Sequence, residues 1–329
     1  MNFMTAIDLK TLPNPITYAD KILLVGSCFT EHIGNALKAA KFDILQNPHG
    51  ILFDPASVTK SLISYAENRN YTAESLFELN GVWHSWDHHS RFSDTDRSSA
   101  LQKINESQQQ ASNFIRKVTW LIVTLGSSFS YRRSEASDPT SAGVANCHRA
   151  PGNRFNKHML TIEETTAMLE DCHNRLMEVN PNLNVIFTVS PVRHLRDGVV
   201  ENNRSKARLL ESVHHMVDKS EKIFYFPAYE LVIDVLRDYR FYDIDLAHPN
   251  YMATEFVLEK FAANCIDDTS RHVMQEVKHL RIAKNHRALH PNSTAHRQFM
   301  MQQLENVKAL GAKYSFLDLD DELAYFSRT

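Results

Sequence analysis

Apolar residues in this chain come in short blocks, separated by longer stretches of helical spacing. Blocks at 22–25, 42–45, 120–125, 185–189 and 223–226 are too short for helices, and most lack polar alternation. Such runs read as strands buried on both faces. Between them, 31–41, 55–68, 161–179, 201–218 and 250–265 read as helices, the second with Pro55 in its first turn. Residues 95–118 form a long, polar, helix-compatible stretch. Residues 76–79 and 82–83 flank Asn80-Gly81, a two-residue hairpin signal. Strands alternating with helices predict an α/β fold: a three-layer α/β/α sandwich around a mostly parallel central sheet. Past residue 265 the β pattern stops. Residues 270–288 and 295–310 read as two polar helices split by His290-Pro291-Asn292. The expected division is a catalytic-type domain over 1–265 and a helical C-terminal extension over 266–329.

Composition narrows the class without choosing a chemistry. The 329 residues are 43% hydrophobic and 23% charged, with a formal net charge of −3. That is ordinary for a soluble globular chain and offers no basic surplus for nucleic acid or an anionic membrane. No apolar run approaches the roughly 18–20 residues that span a bilayer. Residues 1–10 lack the basic and apolar regions of a signal peptide, so a cytoplasmic location is expected. Cys28, Cys147, Cys172 and Cys265 are scattered, with no C-x-x-C pair, and are expected as free thiols. No cofactor is called for.

Candidate chemistry gathers at strand ends. Only nine glycines occur, and Gly26, Gly50 and Gly126 each follow or adjoin an apparent strand. The carboxyl edge of a parallel sheet is where ligands bind. Gly26-Ser27-Cys28 leads directly into a helix, so Cys28 and Ser27 are candidate nucleophiles on a tight turn. A thiol there feels the positive end of the helix dipole, which predicts a lowered pKa. The competing reading is a buried structural cysteine. Asp245-Leu246-Ala247-His248 places a carboxylate and an imidazole three apart, where the carboxylate can orient His248 as a general base. Capping of the following helix is the alternative. Asn47-Pro48-His49-Gly50 and Leu125-Gly126-Ser127-Ser128 are candidate sources of oxyanion donors.

In this order the segments resemble the SGNH (GDSL-like) hydrolase superfamily, and more closely the GSCFA family. Gly26-Ser27-Cys28-Phe29 looks like the motif for which that family is named, with Thr30 in place of its alanine. Asn47-Pro48-His49-Gly50-Ile51, Val144-Ala145-Asn146-Cys147-His148, Ser190-Pro191-Val192-Arg193-His194 and Ser205-Lys206-Ala207 also look like segments of this family. The resemblance spans roughly residues 5–265. It implies an SGNH/flavodoxin-like sheet, with Cys28 where the superfamily has its serine and Ser27 where it has aspartate. Gly50 matches the second-block glycine, and Asp245 and His248 match the terminal pair. Ser128 stands where the superfamily has an asparagine donor, and Asn47 or Asn146 is the candidate replacement.

Other groups have competing readings. Residues 131–160 read as a long loop over the strand ends. Its Asn146, Cys147 and His148 either contact substrate or anchor the loop. Arg193 and His194 either bind a carbonyl or anionic group or serve local ion pairs. Trp83 to His89 reads as hydrophobic packing with solvated histidines. The leading expectation is a hydrolase or acyltransferase acting on a small-molecule or carbohydrate ester through Cys28, His248 and Asp245. The alternatives are an inactive SGNH-fold module that binds a glycan or acylated ligand, and a metal site built from Cys147, His148, Asp245 and His248.

Overall fold

The computed structural model describes residues 5–134 and 143–328. Its elements in chain order are β1 (Lys21–Gly26), α1 (Cys28–Ala39), β2 (Asp43–Gln46), α2 (Pro55–Ala66), β3 (Leu76–Leu79), β4 (Val82–Ser85), α3 (Arg97–Ile115) and β5 (Trp120–Leu125). Then come β6 (Phe129–Arg133), β7 (Gly143–Val144), β8 (Phe155–Met159), α4 (Ile162–Val179), β9 (Asn184–Val189), α5 (Gly198–Lys219), β10 (Ile223–Tyr225) and α6 (Ala228–Glu230). The last four are α7 (Tyr251–Cys265), α8 (Asp268–Asn285), α9 (Thr294–Lys313) and α10 (Asp320–Phe326).

Five strands form one parallel sheet in the order β2-β1-β5-β9-β10. Alternate side chains fill two separate cores, as the period-2 geometry of a strand requires. Leu23, Val25, Leu121, Val123, Val185 and Phe187 pack against α2, α3, α4 and α5. Ile22, Leu24, Trp120, Ile122 and Ile186 pack against α1, α7 and the turns after β10. This is the expected α/β/α sandwich. From β1 the chain moves outward to β2 and then back across to β5, so the strand order reverses between β1 and β5. A crevice opens at such a reversal, at the carboxyl ends of the strands.

Several local expectations change. The stretch read as a loop over 131–160 contributes to a three-stranded antiparallel sheet in the order β7-β6-β8. Residues 135–142 of it lie outside the described ones. In register, Tyr131 faces Lys157 and Phe129 faces Met159, and the Lys157 ammonium sits 4.1 Å from the Phe129 ring centroid. These strands are short and amphipathic, so they give no continuous apolar run. The predicted β3–β4 hairpin forms, with Asn80 and Gly81 both at positive φ. His88, expected to be solvated, is buried, and its Nδ1 lies 2.8 Å from Ser85 Oγ. Beyond the two tail helices a third, α10, completes a C-terminal core around Val277, Val307, Leu310 and Phe326. No helix among the described residues is long and apolar enough to cross a membrane.

Candidate active site

The end of β1 explains the first half of the site. Gly26 has φ +143°, and a side chain there would collide with the Thr124 carbonyl of neighbouring β5. Glycine lets β1 stop hard against β5 and turn into α1. Ser27 is the N-cap of α1, with its amide donating to Thr124 O at 3.1 Å. Its hydroxyl is buried and makes no hydrogen bond to another described residue. Cys28, the first helical residue, is half-buried. Of the two candidate nucleophiles, the thiol is therefore the one that reaches the surface.

The Cys28 thiol departs from the expected lowered pKa. Burial pushes it above its ordinary value, and Glu31 adds to that. The N–H groups of Phe29 and Cys28 and the Lys206 ammonium favour the thiolate, but they do not outweigh burial.

The second half of the site is built on the turn before α7. Asp245 Oδ2 lies 2.6 Å from His248 Nδ1. Asp245 Oδ1 accepts the amides of Ala247 and His248, each at 3.0 Å. These backbone bonds, with the His248 ring, hold the carboxyl down at about 2. Both side chains are half-exposed, and the His248 Nε2 makes no hydrogen bond to another described residue. The turn is anchored from two sides. Asn250 caps α7 through Ala253 N at 3.2 Å, and Arg193 N donates to Ala247 O at 3.1 Å. Arg193 also lays its guanidinium 4.5 Å from the Tyr242 ring centroid. It braces the turn that carries the dyad.

His194 follows Arg193 in the segment after β9. Burial pushes its imidazole down to about 4, with further contributions from Lys206 and from His248. Its amide donates to Asn202 Oδ1 at 2.9 Å, and its ring meets Phe53 edge-on at 5.6 Å between centroids. Phe53 in turn borders Gly126 and accepts the amides of Gly126 and Ser127 on its carbonyl. His32, one helical turn after Cys28, also feels His248, while burial lowers its pKa. The sequence carried no expectation for Phe53, His32 or Asn202, and Lys206 entered only within the Ser205-Lys206-Ala207 segment. The i,i+4 spacing of Cys28 and His32, and the Ser205-Lys206 segment, were the available signals.

The other predicted residues lie around these two halves or in the neighbouring loops. Asn47, at positive φ, accepts Gly26 N on its side chain at 3.0 Å and so fixes the end of β1. Gly50 N donates to Asn47 O at 2.7 Å, which occupies the amide expected in the oxyanion hole. Ser128 is fully buried. His49 is buried, with Nε2 3.0 Å from Gln108 Oε1, and burial pushes it down to about 4. Asn146 accepts His148 N at 2.8 Å, and His148 Nε2 lies 2.8 Å from Ser85 O beside the hairpin. Cys147 is half-buried, and burial raises its thiol. Among the described residues, no group of three or more His, Cys, Asp or Glu is arranged to hold a metal ion.

A family model described as the GSCFA family matches residues 21–261, and one described as the GSCFA domain protein, C-terminal domain, matches residues 277–329. No curated protein matches the sequence. Among solved structures, a carbohydrate esterase family 3 protein from Talaromyces cellulolyticus is 10% identical, with a TM-score of 0.35, over 79% of this chain and 99% of that one. The acetyl xylan esterase Est2A from Butyrivibrio proteoclasticus is 11% identical, with a TM-score of 0.39, over 76% of this chain and 65% of that one. A family 3 carbohydrate esterase from Clostridium thermocellum is 11% identical, with a TM-score of 0.33, over 78% and 98%. Likeness at this level says nothing about chemistry. The family match covers well over half of the sequence, and the chain belongs to the GSCFA family.

Proposed function

We propose that this protein is an ester hydrolase or acyltransferase that works through an acyl-enzyme on Cys28. The observation that carries the reading is the Asp245–His248 pair at 2.6 Å, half-exposed on a turn tied to the segment after β9, with Cys28 opening α1 at the exit of β1. Cys28 sulfur attacks the ester carbonyl, and His248 takes the thiol proton through Nε2. The proton passes to the departing alkoxide, leaving a thioester on Cys28. Water or an acceptor hydroxyl, deprotonated by His248, then releases the acyl group. Asp245 keeps Nδ1 protonated and stabilises the imidazolium. The amides at the start of α1 are the oxyanion donors, since Gly50 N–H is engaged within its own turn. A small acyl ester on a carbohydrate is the substrate class suggested by the resemblance to SGNH enzymes.

Short-chain aryl esters and thioesters test the assignment. Cys28→Ala and His248→Ala should each lower kcat/KM by about 10³-fold or more. Ser27→Ala, which touches a buried hydroxyl, should cost less than about tenfold. Full activity in both C28A and H248A sinks the mechanism. The engaged Gly50 amide favours a second reading, a module of the same fold that binds a glycan or acylated ligand without turnover. In that case wild-type protein turns over none of these esters, and Cys28 alkylates no faster than Cys147.

A further inference from the structure

A cleft of about 620 Å³ opens between α1, α7 and α8, within the range of roughly 300–1,000 Å³ that small-ligand sites occupy. Its two long walls start at the two halves of the candidate site. On α1 it is lined by His32, Asn35, Ala36 and Ala39, which follow Cys28 at i+4, i+7, i+8 and i+11 and so share its helix face. On α7 it is lined by Tyr251, Glu255, Leu258 and Ala262, a face that begins three residues after His248. The two helices share the core of Phe29, Ile33, Val257 and Phe261. Helix α8 closes the other end. It starts just past α7, and its last turn stands by the end of α1, where Glu322 pairs with Lys41 and lies 3.6 Å from Lys284. From Cys28 to Ala39 the α1 wall runs about 17 Å.

The lining mixes two chemistries. Its apolar part is small or aliphatic: Ala36, Ala39, Leu258, Ala262 and Met274 leave room where larger side chains would have closed the gap. Among its polar members, the side chains of Asn35, Glu255, Glu259 and Gln275 make no hydrogen bond or ion pair to another described residue. An alkyl chain would gain from the apolar part alone and would strip water from those four groups without replacing its hydrogen bonds. A sugar chain uses both parts, because each ring has apolar C–H faces and a hydroxyl edge. Tyr251, 74% exposed at the end nearest His248, offers an aromatic face with a polar tip to such a ring.

Lys278 and Arg281 of α8 also line the cleft, and neither forms an ion pair or donates to a carbonyl among the described residues. Arg271, by contrast, is engaged by Asp268. Had Lys278 and Arg281 served to complement the carboxyl end of α1, they would bond its last carbonyls. Two free cations beside one cleft call for an anionic group on the ligand.

We propose that this cleft holds the alcohol half of the ester, an acidic sugar chain whose acyl-bearing unit lies at Cys28 and whose carboxylate lies at Lys278 and Arg281. The orientation rests on Cys28 as the acyl acceptor; the occupancy of the cleft does not. Lys278 and Arg281 are specificity residues, remote from the chemistry, that select a carboxylated chain over a neutral one.

Titration calorimetry of the whole protein tests the occupant, with the tetrasaccharides of galacturonate, mannuronate and guluronate set against maltotetraose and cellotetraose. At least one acidic chain should bind about tenfold or more tightly than either neutral chain, and K278E and R281E should each weaken it by about tenfold or more. Both residues are exposed, and turnover of 4-nitrophenyl acetate, too short to reach α8, should be unchanged in both variants. Ala36→Leu fills the α1 wall and should weaken binding with the cations intact. Lack of preference for any acidic chain overturns the proposal. So does an acidic chain that binds K278E and R281E as tightly as wild type, since it is then held elsewhere. Dodecanoate that binds more tightly than every sugar makes the occupant an alkyl chain, and a dimer that A36L dissociates makes the cleft a face between copies; either result overturns the proposal. A protein that hydrolyses 4-nitrophenyl acetate but fails the titrations keeps its function and loses this subsite. One that passes the titrations but cleaves no ester keeps the subsite and loses the function.

Discussion

Asp245 performs two tasks with its two oxygens, and they come apart on substitution. Oδ2 orients the His248 ring, and Oδ1 closes the turn through two amides. Asp245→Asn keeps one acceptor but presents either a carbonyl or an NH₂ to the imidazole, and so loses the charge that stabilises imidazolium. The expected result is a fall in kcat of roughly 10²–10⁴-fold with little change in KM, measured on the same aryl esters. Its folded carboxyl is held at about 2, below the ordinary value near 4. Its contribution to stability is therefore complete above the unfolded value and is lost as pH falls through about 2. An acid limb in the rate profile above pH 4 thus belongs to another group. If that group is the base that Asp245 supports, D245N should move the limb to lower pH, because the charge that stabilises imidazolium is gone, whereas a limb that disappears in D245N would belong to Asp245 itself.

At the level of elements, the β1–α1 junction is where backbone geometry and chemistry are least separable. Gly26→Ala adds a methyl that meets the Thr124 carbonyl, at a φ that L-residues avoid. A cost of at least ~3 kcal/mol is expected in chemical denaturation. The C-terminal helices have their own core, tied back to the turn after α1 through Glu322, which pairs with Lys41 at 2.8 Å and also lies 3.6 Å from Lys284 of α8. Phe326→Ala empties the centre of that core and should cost about 3–5 kcal/mol, with hydrogen-exchange protection lost first in α8, α9 and α10. If protection is instead lost evenly across the central sheet, the tail is not a separate unit. The parallel strands were legible in the sequence because doubly buried strands are uninterrupted apolar runs, as in Ile22 to Val25. The Asp245–His248 turn was legible because its chemistry lies within four residues. Strands β6, β7 and β8 were not, because amphipathic strands a few residues long look like loop. Lys206 was not, because inside a helix a lysine reads as part of the solvated face, and only its bonds to Gly126 O and Ser190 O, at the exits of β5 and β9, reveal otherwise.

On the scale of the whole molecule, the histidines make the fold sensitive to acid in a way that the net charge does not suggest. His49 and His148 pack with His84, His88, Tyr71 and Trp86 between the hairpin and the sheet edge. Burial pushes His49, His148 and His194 down to about 4, and His88 well below the ordinary value. In the unfolded chain each titrates near 6.5. Between about 6.5 and 4, therefore, the unfolded chain binds protons that the folded one refuses, and stability falls as pH drops through that window. Above 6.5 these groups are neutral in both states and contribute no slope. Each contributes at most ~1.4 kcal/mol per pH unit. The depressed carboxylates act in a lower range, since Asp94, Glu163, Glu164 and Asp245 are all shifted downward from ordinary carboxylate values. His49→Gln separates the titration from the packing. Glutamine can still bond Gln108, but it carries no proton-binding group. At pH 8 the variant should be less stable, for want of ring contacts with Tyr65 and His88. Between pH 6.5 and 4 its stability should fall less steeply than that of wild type, by up to ~1.4 kcal/mol per unit, in urea titrations at stepped pH. Parallel slopes for the two proteins would mean that His49 titrates normally in the fold, and the acid sensitivity would then have to come from elsewhere.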